Sequence, residues 1–384
     1  MESVKGFRDF TGAEALKREK TKEILIGIFK SYGFEPAETP IIENEEFVKS
    51  QSAGDEAISD VFKLEDKGKR KLALRYEFTF QLKRIANNKK LPYKRYQIGE
   101  VFRDEPVSGN RLRQFTQCDA DIIGASVKDE AEILAMASKI LKELGIQAEI
   151  FVNNRKLLNE ILDKEGVKAK AEVIKEIDKL DKLPEQQVKE NLKKYGAAKL
   201  LDIFKKPESY FKKYKSYDEI LELKKACKNY GAEIKFSPSL ARGLSYYNGT
   251  IFELKSKDMK ESICGGGSYL VNGIQACGIS FGLERISSLA KIPVKEERIV
   301  IISINEDRQA IKLAEQLRKL GKEVIVMYGK PTKALEFANS YGISYVIFLG
   351  QEEAKKKKVK LRDMKTGKEM LISEKELIKK TSGN

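Results

Sequence analysis

The sequence contains no histidine among its 384 residues, and this absence excludes several kinds of chemistry. A serine or cysteine nucleophile paired with histidine, a histidine metal site and a histidine proton shuttle all need the missing residue. Catalysis by this chain must therefore depend on arginine, lysine, carboxylates and groups that the substrate or a metal supplies.

Cysteine and long apolar runs are also scarce. The four cysteines lie far apart, with no Cys-x-x-Cys pair: Cys118, Cys227, Cys264 and Cys277. This spacing argues against a cysteine-rich zinc site and fits a reducing cytoplasm. The longest apolar runs, such as Ile299–Ile304 and Tyr345–Leu349, are too short to span a bilayer, and the N-terminus lacks the apolar core of a signal peptide. We therefore expect no membrane partner.

The bulk composition is that of a folded protein with a basic surface. A hydrophobic content of 41% and a length of 384 residues predict two or three domains with their own cores. The net charge of +15 favours a polyanionic partner, for which nucleic acid is the natural candidate. A lysine-rich surface kept for solubility is the alternative.

The most informative stretch runs from Arg103 to Asp121. It is typical of two strands joined by a polar loop, with the second strand at Leu112–Ile123. Side chains alternate along a strand, so one face would carry cations, a ring, an amide and carboxylates in this order: Arg111, Arg113, Phe115, Gln117, Asp119 and Asp121. Such a face suits a ligand with a phosphate end, a flat base and a cationic or polar end. An ordinary amphipathic hairpin is the alternative.

The same residues resemble the second signature motif of class II aminoacyl-tRNA synthetases. The match runs from Phe102 to Asp121, and its ending Gln-Cys-Asp-x-Asp is similar to the histidyl enzyme in its archaeal and eukaryotic form. The resemblance implies activation of histidine with ATP, followed by transfer of the histidyl group to the 3′ end of tRNA(His). It also implies a homodimer that works in the cytoplasm.

Other segments extend the resemblance in the expected order. A helix at 14–32 followed by an extended segment resembles the first class II motif, which forms the dimer interface in that family. The segment Arg75–Thr79 and the run Arg242–Tyr247 resemble two segments of the histidyl enzyme. The glycine run at Gly265–Gly267 and the junction Gly278–Arg285 resemble the third class II motif.

The resemblance assigns roles at both ends of a bound adenylate. The residues implied in ATP binding are Arg103 for the α-phosphate, Arg111 and Arg285 for the β- and γ-phosphates, Glu105 for the adenine amino group, and Phe115 for stacking on the base. The residues implied in histidine binding are Glu77, Thr79 and Gln117 for the α-ammonium group, and Asp121 and Tyr247 for the imidazole. Arg242 would lie beside the α-phosphate and the carboxylate, and with Arg103 it is implied in catalysis. Mg²⁺ is expected on the ATP phosphates, and no protein-held metal site is predicted. Asp119 receives no role, and Tyr246 is expected to point away from the pocket.

Three departures from the family pattern concern loops and turnover. The loop arginine is preceded by Gly109-Asn110, the family's aspartate in the Arg-Gly-Leu-Asp-Tyr-Tyr segment is Ser245, and the third motif contains Ser268. All charge-bearing positions that the resemblance uses are kept.

The predicted fold class is α+β. A class II antiparallel-sheet catalytic domain is expected at 1–295, with a helical insertion at 156–232, and a C-terminal α/β anticodon-binding domain at 296–384. Two other functions remain open at this point. One is a non-catalytic paralogue of the ATP phosphoribosyltransferase regulatory-subunit type, and the other is a synthetase specific for threonine or proline.

Overall fold

The structure is a computed structural model that describes residues 2–51, 59–107, 111–242, 246–293 and 298–381. The chain divides into two compact units, Met1–Ile292 and Pro293–Asn384. Each unit has its own hydrophobic core. Among the residues so described, no helix combines the length and apolar character needed to cross a membrane.

The first unit is built around a large sheet with helices on both faces. Its strands are β1 (Glu35–Pro36), β2 (Ile42–Asn44), β3 (Lys63–Glu65), β4 (Lys71–Leu74), β5 (Tyr93–Phe102), β6 (Gln114–Ile123), β7 (Glu149–Asn154), β8 (Ile234–Phe236), β9 (Tyr247–Lys255), β10 (Cys264–Val271) and β11 (Ile274–Gly282). Its helices are α1 (Gly12–Ser31), α2 (Glu45–Gln51), α3 (Thr79–Ile85), α4 (Val127–Glu143), α5 (Arg155–Lys164), α6 (Lys170–Asp178), α7 (Glu185–Lys193), α8 (Leu200–Phe204), α9 (Asp218–Asn229) and α10 (Leu283–Leu289).

Eight of these strands form one sheet in the order β1-β5-β6-β11-β10-β9-β7-β8. The neighbours from β5 to β7 are antiparallel, whereas β1 and β8 add to the two edges as parallel strands. Because the side chains alternate, β6 places Cys118, Ala120 and Ile122 in the core on one face. The polar side chains Gln117 and Asp119 are therefore directed to the other face.

The first face of the sheet is covered by α1, α4, α9 and α10. Leu25 of α1, Ile133 of α4 and Ile286 of α10 pack with Phe281 of β11 in one buried cluster. At the start of α4, the Asp129 carboxylate accepts from the backbone N–H of Ser126 at 2.8 Å and from the Ser126 hydroxyl at 2.6 Å. These helices leave the opposite face for the site.

The lysine-rich segment predicted as an insertion does not have a core of its own. Leu158 and Phe211 of this segment pack with Ile251 and Val271 of the sheet in a single cluster. The last helix, α9, contributes Ile220 to this cluster and Leu223 to the cluster on the first face. The segment therefore shares its core with the sheet on both faces.

Two local predictions about the central hairpin are wrong. The second strand begins at Gln114, not at Leu112, so strand alternation does not govern Arg111 and Arg113. Arg113 turns instead to the preceding loop, where Nη2 lies 3.2 Å from Oδ1 of Asp104. The backbone N–H groups of Arg113 and Gln114 donate to the carbonyl of Gly6. These hydrogen bonds take the place of pairing between strands, which explains why β6 begins at Gln114.

The second unit is an α/β sandwich with a five-stranded sheet in the order β13-β12-β14-β15-β16. Its strands are β12 (Ile299–Ser303), β13 (Val324–Tyr328), β14 (Tyr345–Leu349), β15 (Lys358–Asp363) and β16 (Glu369–Ser373), and its helices are α11 (Asp307–Lys319), α12 (Pro331–Ser340), α13 (Gln351–Lys355) and α14 (Glu374–Thr381). Buried clusters lie on both faces of the sheet. The lysine run Lys355–Lys358 joins the end of α13 to the start of β15.

Candidate active site

The residues predicted to bind ligand all belong to the described part of the first unit. They come from β6 and β9, from the segment between β5 and β6, from the segment before β9, from the start of α3 and the residues before it, and from the start of α10. The antiparallel neighbours bring residues together that are more than a hundred positions apart in the sequence.

Arg103 lies between two aromatic rings directly after β5. Its guanidinium carbon is 4.3 Å from the ring centre of Tyr76 and 5.1 Å from that of Phe115. The backbone N–H of Arg103 donates to the carbonyl of Arg113 at 2.8 Å, which fixes the turn out of the strand. Nε of Arg103 donates to the carbonyl of Tyr76 at 3.4 Å, and cation–π contacts of this kind hold the guanidinium in place while leaving its terminal N–H groups for a ligand.

Three arginines form a positive region at this end of the site. The half-exposed Arg111 pairs with Glu105, with Nη1 and Oε2 3.0 Å apart. Arg285 donates to the carbonyl of Ser262 at 2.9 Å. Burial lowers the pKa of Arg285, and the positive charges of Arg111 and Arg103 lower it further. Cations that repel one another in a partly buried place favour a polyanionic ligand.

Arg242 occupies space that the glycine run leaves open. Its Nη1 lies 3.1 Å from Oε1 of Glu253, and its guanidinium is 5.8 Å from the ring centre of Tyr247. A Cβ on Gly265 would overlap this guanidinium. The carbonyl of Arg242 accepts a 2.6 Å hydrogen bond from Nη2 of Arg155, which fixes the backbone.

The surroundings of Arg242 keep it charged. Burial lowers the pKa of the guanidinium, but Tyr247 and Glu253 more than offset this, and the net pKa is raised. The described contacts leave Nε of Arg242 buried without a hydrogen-bond partner. A buried cation with an unused donor is suited to an anionic group of a substrate.

Asp121 is buried in the centre of the sheet and is held by two groups. Its Oδ2 lies 2.9 Å from Nη2 of Arg95, and its Oδ1 accepts a hydrogen bond from the Tyr269 hydroxyl. Burial raises the pKa of Asp121, whereas Arg95 lowers it. A Cβ on Gly278, in the neighbouring strand, would overlap Oδ1 of Asp121.

Glu77 and Thr79 meet Tyr246 and Tyr247 at the same end of the site. Glu77 is buried, and burial together with the charge of Glu77 raises the pKa of Tyr246. The Tyr246 hydroxyl is hydrogen-bonded to Thr79, and its ring centre is 4.8 Å from that of Tyr247. The prediction that Tyr246 points away is therefore wrong. Because β9 begins at Tyr247, Tyr246 lies in the preceding turn, where strand alternation does not apply.

Gln117 and Asp119 are neighbours on the site face of β6. Nε2 of Gln117 donates to the Ser280 hydroxyl oxygen at 2.8 Å. Burial, and then the charge of Asp121, raises the pKa of Asp119 to about 7. Sequence reasoning gave Asp119 no role and did not find Arg95 or Ser280. The alternation of β6 could have indicated Asp119, because it shares the face of Gln117 and Asp121.

Of the departures from the family pattern, only Ser268 lies in the described residues; Gly109, Asn110 and Ser245 lie outside them. Ser268 is buried, and its hydroxyl donates to the Glu130 carboxylate. Oγ1 of Thr250 donates to the same carboxylate at 2.6 Å. Ser268 therefore ties the sheet to α4, which explains why a small hydroxyl residue is accommodated there.

The close approach at Gly278 leads to a prediction about folding stability. We expect Gly278→Ala to lower the free energy of unfolding by about 1–3 kcal/mol, because the added methyl group must displace the Asp121 carboxylate. Urea unfolding of the purified variant measures this. Gly27→Ala is the control, since a Cβ there meets nothing within 4 Å. Equal stability of the Gly278 variant and the wild type would contradict the prediction.

Known families match both units of the chain. The histidyl-tRNA synthetase family matches residues 6–286, and the anticodon binding domain matches residues 298–384. A histidine–tRNA ligase 1 of Bacillus cereus is 34% identical to this chain over 97% of each sequence. A histidine–tRNA ligase of Wolinella succinogenes is also 34% identical, over 95% of this chain and 94% of its own length.

Solved structures show the same fold. The histidyl-tRNA synthetase from Nostoc sp. PCC 7120 superposes with a TM-score of 0.85 and 26% identity, covering 99% of this chain and 98% of that one. A protein of Bacillus halodurans described as an ATP phosphoribosyltransferase regulatory subunit/histidyl-tRNA synthetase has a TM-score of 0.75 at 19% identity, covering 91% of this chain and 97% of that one. At that identity the second likeness shows the fold alone.

The antiparallel sheet, its arginine-rich face and the anticodon-binding domain define a class II aminoacyl-tRNA synthetase. The chain belongs to the histidyl-tRNA synthetase family. Its activity is that of a histidine–tRNA ligase, which uses ATP to attach histidine to tRNA. The family, the fold class and the enzymatic activity predicted from the sequence are thus confirmed. The regulatory-subunit alternative is less supported, because the relatives are ligases.

Proposed function

We propose that histidine and ATP bind side by side in the site that β6 and β9 carry, with Arg242 between them. One observation carries this proposal: the site contains two groups of like charges. Arg285 is close to Arg103 and Arg111 in one group, and Asp119 is close to Asp121 and Glu77 in the other. An amino acid with a positive ammonium group and a nucleotide with a triphosphate complement these two groups.

The first reaction joins two anions and therefore needs fixed positive charge. An oxygen of the histidine carboxylate attacks the α-phosphorus of ATP, a new O–P bond forms, and the bond to the β-phosphate breaks to release pyrophosphate. Arg103 would bind the α-phosphate, and Arg111 and Arg285 would bind the β- and γ-phosphates. Cations that are in place before the reaction lower the barrier because they need little reorganisation.

Arg242 would contact both the α-phosphate and the carboxylate of histidine. In the histidyl family, the matching arginine takes a role that a metal ion has in another class II enzyme. Mg²⁺ would enter with ATP, held by phosphate oxygens and water, and would supply further charge neutralisation. The carboxylates Glu105 and Glu253 already pair with Arg111 and Arg242, which fits a metal held mainly by the nucleotide.

The adenine would lie on the Phe115 ring, with Glu105 accepting a hydrogen bond from its amino group. Glu105 and Arg111 are 3.0 Å apart in the ligand-free site. ATP binding would therefore separate this pair, as Arg111 turns to the phosphates and Glu105 to the base. Since Arg111 is half exposed, opening the pair costs little.

Histidine would be recognised through both its ammonium group and its ring. Glu77, Thr79 and Gln117 would accept from the α-ammonium group, which has only donors. Asp121 and the Tyr247 hydroxyl would bind the two imidazole nitrogens. An amino acid without these nitrogens leaves buried polar groups unpaired, and such mismatches give strong discrimination.

For the second reaction we propose tRNA(His) as the partner. The anticodon-binding domain and the net charge of +15 support binding of a polyanionic RNA.

We propose domain limits of 1–295 and 296–384, with 156–232 as the helical insertion in the catalytic domain. A homodimer is proposed from the likeness of the segment at 14–43 to the first class II motif. Cytoplasmic activity is proposed from the four cysteines, which are buried and free of disulfides.

ATP–pyrophosphate exchange, measured separately with each amino acid, tests the proposed site. We expect histidine to support exchange and threonine and proline to give background rates, because only histidine pairs with both Asp121 and Tyr247. Tyr247→Phe should raise the KM for histidine by about tenfold, through loss of one hydrogen bond to the ring. Exchange with no amino acid would contradict an active site of this kind. Exchange with threonine and not histidine would contradict the proposed specificity.

A further inference from the structure

Asp119, Ser280 and Gln117 lie next to one another on β6 and β11. The strand register places Ser280 directly opposite Asp119, and it places Gln117 opposite Gly282. Nε2 of Gln117 donates to the Ser280 oxygen at 2.8 Å, and the Ser280 hydroxyl is hydrogen-bonded to Asp119. Within the described residues, Oε1 of Gln117 is buried and has no hydrogen-bond partner.

The direction of these hydrogen bonds follows from the groups themselves. An ionised carboxylate only accepts, so the single proton of the Ser280 hydroxyl points to Asp119. The Ser280 oxygen is then left as an acceptor, and Gln117 must turn its NH₂ group toward it. The opposite orientation of Gln117 would bring Oε1 against an oxygen that has no proton to donate.

We propose that Asp119 is a positioning residue that acts through Ser280 to hold Gln117 with its carbonyl oxygen toward the α-ammonium group of histidine. The inference rests on the proposed role of Gln117 in histidine binding. It gives a task to Asp119, the first carboxylate of the Asp-x-Asp pair, which the family resemblance leaves without one. A flipped Gln117 would present NH₂ to the ammonium group, which pairs a donor with a donor and weakens binding.

The charge state of Asp119 sets the conditions for a test. The charged and titratable groups that face it are Asp121 on its own strand, Arg95 on β5, and Glu77 before α3. On β11 it faces the neutral Ser280. Burial and Asp121 raise the pKa of Asp119 to about 7, and Arg95 and Ser280 oppose that shift. Measurements at pH 8 keep the carboxylate mostly ionised, and the ionised form only accepts hydrogen bonds.

The decisive measurement is the KM for histidine in ATP–pyrophosphate exchange at pH 8. We expect Ser280→Ala and Asp119→Ala each to raise this KM by about five- to tenfold, as the orientation of Gln117 is no longer fixed. The KM for ATP should stay within about twofold, because the phosphate end is untouched. The double variant should show little more than either single variant, since both remove the same chain of hydrogen bonds.

Gln117→Glu in the Ser280→Ala background separates positioning from a structural effect. A carboxylate has an oxygen at both positions, so it presents an acceptor to the ammonium group in either orientation. We therefore expect the KM for histidine to return toward the wild-type value. Ser303→Ala is the matched control, because the buried Ser303 donates to Asp307 at 2.6 Å in the second unit. It should leave the KM for histidine unchanged.

Two failures can be told apart. If Gln117→Ala leaves the KM for histidine unchanged, the proposed role of Gln117 in histidine binding is wrong, and the positioning role falls with it. If Gln117→Ala raises this KM while Ser280→Ala does not, Gln117 binds histidine but needs no positioning by Asp119. Additive effects of the two single variants, or no rescue by glutamate, would also overturn the proposal.

Discussion

Replacing Arg242 by glutamine should lower kcat/KM for histidine-dependent ATP–pyrophosphate exchange by about 10²–10³-fold, the effect of removing one preorganised group from a reacting centre. Arg242 is fixed by its backbone bond to Arg155 and its ion pair with Glu253, and Gly265 leaves room for its guanidinium. Glutamine retains hydrogen bonding but loses the charge. The loss should therefore appear mainly in kcat, where charge builds up between carboxylate and phosphate.

The Arg242 variant needs a control for folding, because Glu253 is buried beside it. Thermal unfolding of Arg242→Gln should remain cooperative, and Arg242→Lys should recover part of the rate by restoring the charge without the planar group. Arg318→Gln, in the second unit, is the matched control; Arg318 pairs with Glu315 on the surface. A folded Arg242→Gln enzyme with a rate within tenfold of the wild type would rule out the proposed role.

The sequence predicts the charge-bearing part of the site because that part follows local rules. Strand alternation places Phe115, Gln117, Asp119 and Asp121 on one face of β6, and the structure has them there. In the second unit, the sequence predicts a helix at Asp307–Lys319, which has these bounds in the structure, and a strand at Tyr345–Gly350, which ends one residue earlier, at Leu349. In each case the pattern of polar and apolar residues that predicts the structure lies within a single segment of the chain.

Contacts between strands could not be predicted in the same way. Arg95 faces Asp121, and Ser280 faces Asp119, because of the registers of β5 and β11 with β6. A shift of one residue in either register would turn these side chains to the other face, and nothing local to Arg95 specifies the register. The same limit applies to Tyr246, whose direction depends on where β9 begins. The missed residues are thus those that act through a neighbouring strand.

Arg95→Leu should lower the free energy of unfolding of the first unit by about 3–5 kcal/mol, the usual cost of breaking a buried ion pair by removing one partner. Arg95 is fully buried, and its Nη2 lies 2.9 Å from Asp121. Arg95 lowers the pKa of both Asp119 and Asp121. Without this cation, the two aspartates and the nearby Glu77 form a cluster of buried carboxylates. Urea unfolding measures the loss. Arg70→Leu is the control, since its exposed pair with Asp66 should contribute little to stability.

A double variant, Arg95→Leu with Asp121→Leu, distinguishes the charge from the packing. Because both ions are removed, no carboxylate at position 121 is left unpaired, and most of the lost stability should return. Histidine-dependent exchange should not return, since the proposed acceptor for the imidazole is gone. Equal instability of the single and double variants would show that Arg95 contributes through its shape and not its charge. Recovery of exchange would instead contradict the assignment of Asp121 to the imidazole, because the pocket would then recognise histidine without it.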